Sequence, residues 1–138
     1  MTDSAHAYWS GYIRSLADDI GLKDWTIELK RDGPANSDAG ASMITICGRR
    51  IVWIRLGFGF YSGTPEDQRH YVLHELLHVH LDDVDTAIWQ AKEIIGSDTF
   101  TLMEKVVKDR LEFAIDTIAA SIGHAYPVPD SDQRGLGV

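Results

Sequence analysis

The chain has one cysteine, Cys47, and only four prolines in 138 residues. A single thiol rules out an internal disulfide framework, and an unpaired thiol fits a reducing compartment. No apolar run approaches the ~20 residues that a bilayer-spanning helix needs. The stretch 1–10 has no basic segment leading into an apolar one, so no secretory leader is expected. Basic residues are outnumbered, 13 against 21 acidic, for a net charge of -8. Lys30-Arg31 and Arg49-Arg50 are isolated pairs rather than a patch. That balance disfavours a phosphate backbone as partner. The expectation is a cytoplasmic protein with neither a nucleic-acid nor a membrane partner.

What is present suits one folded domain. Apolar residues make up 44% and charged residues 25%, and a chain of this length buries roughly two-thirds of its unfolded surface. Apolar spacing predicts a first helix over 4–20, stopped by Gly21. Alternation at Trp25, Ile27 and Leu29 predicts a strand over 25–29. Residues 32–40 are turn chemistry. Two further strands are expected over 43–47 and 51–56, paired antiparallel in the simplest arrangement and mixed in the alternative. The glycine-aromatic stretch 57–63 reads as a flexible loop. Thr64, Pro65, Glu66 and Asp67 then open a helix to about His80: a good cap, a proline at the first helical position, and acids where the helix dipole favours them. After a polar break at 82–85, helices are expected over 84–95 and 98–122, the latter capped by Asp98. The class is therefore α+β. Residues 1–126 form the domain and 127–138 a flexible tail.

The chemistry concentrates in His74-Glu75-Leu76-Leu77-His78. On a helix the two histidines lie four apart on one face, ~6 Å along the axis, so both imidazoles can reach one Zn²⁺. Glu75 lies about 100° round from His74, beside the metal without being forced onto it, where a base for an activated water is needed. The composition would give this five-residue pattern by chance in about one such chain in a hundred. Context adds to it, since the flanks of this helix are apolar nearly all round and buried polar side chains need partners. The competing explanation is a pair of core histidines bonded to carboxylates.

Glu112 and Asp116, four apart on the last helix, border its apolar stripe of Leu111, Ile115, Ile118 and Ile122. Glu112 would complete a two-His, one-Glu set with a fourth position open to water. Asp116 could accept the free N–H of a ligating histidine and fix its tautomer. Two solvated helix acids near Lys108 are the alternative.

These residues resemble the gluzincin branch of the zincin metallopeptidases, in which HExxH pairs with a later helix carrying E-x-x-x-D. The resemblance covers residues 25–123 and is nearest to the minimal zincins of phages, prophages and bacterial regulatory systems. It implies His74, His78 and Glu112 as zinc ligands, Glu75 as general base and Asp116 as the partner of His74. It further implies a zincin-like fold, peptide-bond hydrolysis of a protein or peptide substrate, and an edge strand that receives it, for which 51–56 is the candidate. The chain departs from these patterns in four ways: 33 residues separate His78 from Glu112, the glycine turn that follows the second histidine in metzincins is absent, no Asn precedes Glu112, and at 138 residues the lobe that usually walls the far side of the cleft is not expected. A non-catalytic zinc module for regulation or partner recognition is the second hypothesis, and a metal-free helical interaction domain the third.

The remaining candidates are subordinate. His70 continues the four-residue ladder but is ~12 Å from His78 along the axis and belongs at the rim. His80 is the rival should Glu112 not ligate, and His124 lies ~18 Å beyond Glu112. Tyr61, Tyr71 and Tyr126 are possible oxyanion donors and more readily packing aromatics. Asp82, Asp83 and Asp85 lack calcium-loop spacing. Trp53 and Arg55 either line a substrate edge or cover the sheet.

Overall fold

A computed structural model describes residues 1–36, 38–46 and 48–130. Cys47 and residues 131–138, most of the expected tail, lie outside the described residues. The order is α1 (Asp3–Asp19), β1 (Thr26–Leu29), β2 (Ala41–Thr45), β3 (Ile51–Leu56), α2 (Phe58–Ser62), α3 (Pro65–His80), α4 (Asp82–Gln90), α5 (Lys92–Ile95) and α6 (Ser97–Gly123). No helix among the described residues is long and apolar enough to cross a membrane.

The expected class, α+β, is the observed one, and the sheet takes the mixed form. Its order is β1-β3-β2. β2 and β3 are antiparallel, with Ala41 opposite Leu56 and Thr45 opposite Val52. β1 runs parallel to β3, with Thr26 beside Ile51 and Leu29 beside Ile54. A three-stranded meander fails for a physical reason. The loop between β1 and β2 is too long for a tight hairpin, and it lets β2 step across to the far side of the sheet. The strongest β-former, Ile51–Leu56, then takes the centre, with Val52, Ile54 and Leu56 buried on one face. On its other face Trp53 lies 4.2 Å below the Lys30 ammonium, and Arg55 pairs with Asp32 at 2.9 Å. Trp53 and Arg55 therefore cover the sheet.

Helix α1 buries Ala5, Trp9, Ile13, Leu16 and Ala17, one face at helical spacing. The stretch 57–63 is not a loop. Phe60 is fully buried and meets Trp9 edge-on at 4.8 Å, so this aromatic pairing folds Phe58–Ser62 into one short helix. Gly57 is required at its start, since a Cβ there would stand 2.1 Å from the Ala39 carbonyl oxygen. The polar stretch at 82–85 is not a break either but the first turn of α4, its acids facing the helix dipole. The helix expected over 84–95 divides at Ala91, whose N–H bonds the carbonyls of both Ala87 and Ile88. Asp98 lies within the first turn of α6 rather than capping it; the cap position is Gly96. Of the segment after Tyr126, residues 127–130 are described: the Tyr12 hydroxyl donates to the Pro127 carbonyl at 2.9 Å, and the Asp130 amide donates to the Tyr8 hydroxyl.

Helix α3 carries the candidate site; it is capped at its start and packed along one face. Thr64 and Asp67 form a reciprocal capping box: the Thr64 hydroxyl accepts from the Asp67 amide at 3.1 Å, and the Asp67 carboxylate accepts from the Thr64 amide at 2.9 Å. Val72, Leu73, Leu76 and Val79 are buried, and Gln68 beside them donates to the Phe60 carbonyl at 3.1 Å. The helix is thus two-faced rather than apolar all round. His70, His74 and His78 occupy the side turned to α6, which buries Ile115, Ala119 and Gly123 but leaves Ile118 exposed.

Candidate metal centre

Helices α3 and α6 bring the two halves of the predicted ligand set together. His74 Nε2 lies 3.2 Å from Glu112 Oε2, and His78 Nε2 lies 3.2 Å from Glu112 Oε1. The two histidine Nε2 atoms are themselves 3.2 Å apart. Three donors around an ion with bonds of ~2.0–2.1 Å in tetrahedral geometry stand about 3.3–3.4 Å from one another. The two Nε2 atoms stand at nearly that separation, and so does the carboxylate oxygen nearest each of them, Oε2 for His74 and Oε1 for His78. Two imidazoles and one carboxylate are also a donor set suited to zinc, so the residues fit the ion that the sequence motif implies. Two carboxylate oxygens facing two imidazole nitrogens would otherwise be a hydrogen-bonded pair, and Glu112, with 56% of its side chain exposed, has no burial that would demand it.

Glu75 is half-buried beside this triangle and outside it, as the 100° offset requires. Burial pushes its carboxyl up to about 7; the charge of Glu112 adds to the rise and the Met43 backbone amide opposes it. His74 moves down, first because burial disfavours its cation and then because His78 is close, while Glu112 and Asp116 oppose the change. The lowered value keeps the His74 imidazole available as a neutral donor.

The site opens into a cleft of about 490 Å³ between β2 and helices α3, α4 and α6. All five residues of β2 line one wall; His74, Glu75 and His78 form the base, and Asp82, Asp85 and Glu112 the rim. The ladder bonds explain why β2 matters. Gly57 donates to the Gly40 carbonyl and Ile46 to the Ile51 carbonyl, so the even-numbered residues of β2 pair with β3. The N–H and C=O groups of Ala41, Met43 and Thr45 therefore point to the other edge. That corrects the choice of strand: Ile51–Leu56 has both edges occupied, and β2 has the free one. Strand order depends on distant pairing, and nothing in the local pattern of 41–45 distinguishes an edge strand. The Thr45 hydroxyl also donates to Asp82, tying this wall to the start of α4.

Asp116 is near its expected partner but bonded elsewhere. Its Oδ1 lies 3.6 Å from His74 Nδ1, beyond hydrogen-bond distance, and accepts from His70 Nε2 at 2.8 Å. That bond, with a smaller contribution from His74, holds the Asp116 carboxyl below its usual range. His70, expected at the rim, is in contact with the set through Asp116. The four-residue ladder was the signal for it. His80 is turned away, its Nε2 on the Ile20 carbonyl at 2.9 Å. His124 follows the last turn of α6 and does not line the cleft. Nor do the three tyrosines. Tyr61 packs on Trp9 and Phe60, Tyr71 covers Gly40, and the Tyr126 carbonyl accepts from Arg69. Comparison with known proteins gave no matching family model, no matching curated protein and no matching solved structure.

Proposed function

We propose that this chain is a small zinc-dependent metallopeptidase that hydrolyses peptide bonds. The observation that carries the reading is the convergence of His74 Nε2, His78 Nε2 and the Glu112 carboxylate at 3.2 Å spacing on an open cleft. Zn²⁺ held there would acidify a water and polarise a carbonyl oxygen. Glu75, beside the triangle, takes a proton from the attacking water and returns it to the departing amine. The free edge of β2 accepts an extended peptide through the backbone groups of Ala41 and Thr45 and the Met43 carbonyl, the Met43 amide being turned to Glu75, which gives affinity with little side-chain preference. The substrate is accordingly an unstructured protein segment or peptide.

The test is stoichiometry combined with hydrolysis. Purified protein is expected to bind one equivalent of zinc, to cleave an unfolded protein substrate, and to lose that cleavage on chelation and regain it on zinc addition. Less than half an equivalent after reconstitution would contradict the reading.

A further inference from the structure

We propose that His70 is a positioning residue: it holds the Asp116 carboxylate against the Nδ1 side of His74 and so fixes the ring that carries one zinc donor. The inference rests on the zinc reading of the His74, His78 and Glu112 cluster.

Among the described residues, His70 is the group bonded to the Asp116 carboxylate, with His74 next at 3.6 Å. Its side chain is 63% exposed, and a carboxylate in water at that exposure keeps several rotamers open. Among the described residues, its bond of normal length is to His70. One carboxylate oxygen accepts two donors. His70 and His74, four apart on α3, present theirs on the same face, 2.8 and 3.6 Å from Asp116 Oδ1. A shift of a few tenths of an ångström brings the second within bonding range while the first holds.

The two helices interleave as a ladder. Down α3 run His70, His74 and His78; up α6 run Asp116 and Glu112, each acid between two histidines. His74 is therefore flanked on both ring nitrogens, Nε2 by Glu112 and Nδ1 by Asp116. Keeping the proton on Nδ1 leaves the Nε2 lone pair for the ion. With Asp116 already ordered by His70, that orientation costs no further rotamer freedom when the ion arrives. His70, His74 and Asp116 also have donor atoms within 4.8 Å of one another. A second cation there would require His74 to ligate through both nitrogens, which strips its last ring proton, whereas positioning leaves that proton in place.

Zinc affinity, measured by competition with a chromophoric chelator, separates the possibilities. The proteins compared are wild type, His70→Leu and His70→Gln, with circular dichroism to confirm folding. Wild type binds one equivalent. His70→Leu is expected to bind about 10-fold more weakly, and His70→Gln to recover most of the loss, because its amide N–H reaches the same carboxylate. In the zinc-loaded protein the His74 Nδ1 proton, followed by ¹⁵N-edited NMR, should exchange faster in His70→Leu than in wild type. Should His70→Leu fail to fold, His70→Ala takes its place in the same comparison. Affinity within twofold of wild type for the variant lacking a donor, tighter binding, or no recovery with Gln would overturn the inference while the metal centre stands. A wild type that binds no zinc overturns the metal centre and this inference with it.

Discussion

Glu75→Gln is expected to retain one equivalent of zinc and to lose two to four orders of magnitude in hydrolysis, the usual contribution of a positioned general base. Gln keeps the shape of the side chain and gives up only the capacity to take a proton. Glu75 lies outside the triangle of His74, His78 and Glu112, so the substitution leaves all three donors in place. It also removes a carboxyl that the site holds partly buried and near another acid, the two causes that push it up to about 7, so folding has no reason to suffer. Zinc titration, melting temperature and the rate on an unfolded protein substrate give the three readings. Unchanged hydrolysis would take the base role away from Glu75. A zinc-loaded wild type that cleaves nothing would instead favour a non-catalytic zinc module.

Glu112→Ala should weaken zinc by more than 100-fold. Structural zinc sites bind with about 10–16 kcal/mol, roughly 3 kcal/mol for each of four ligands, and every 1.4 kcal/mol is a factor of ten. The carboxylate spans both histidines, Oε2 on His74 and Oε1 on His78, so its loss removes a donor and also the group that keeps two like side chains 3.2 Å apart. Competitive zinc titration checks this. The melting temperature of the zinc-loaded variant should fall toward that of the zinc-free protein, since binding to the folded state is itself stabilisation. Unaltered affinity would move the third ligand elsewhere, and Asp116, in the other donor group, is the side chain to examine next.

The site was more legible in the sequence than the sheet, and the reason is range. His74 and His78 share a helix face because 3.6 residues make a turn, and Glu112 and Asp116 share one for the same reason. Each pair follows from local periodicity, and Thr64 with Asp67 fixed where α3 begins. Docking α3 against α6 needed only that both helices turn their polar edge to the same place. Strand order had no such local rule. The residues of β1 and β3 prescribe a half-buried and a strongly apolar strand, yet whether they pair depends on where the loop over 32–40 carries β2. The free edge, and with it one wall of the cleft, therefore belongs to β2 and not to β3. The short helix α2 was missed because its cause is tertiary: Phe60 folds inward against Trp9, against the glycine-rich composition around it. His70 was visible as a rung of the ladder, but its role depends on Asp116 facing it from α6, a contact across 46 positions of chain.

The zinc reading requires one cation held between α3 and α6 by His74, His78 and Glu112. Crystals of the zinc-loaded protein, with anomalous diffraction recorded across the zinc edge, test it directly. A single peak is expected about 2.0–2.1 Å from His74 Nε2, His78 Nε2 and a Glu112 carboxylate oxygen, with a fourth position facing the cleft. A peak seated on His70 and Asp116, or no peak between the two helices, would contradict it.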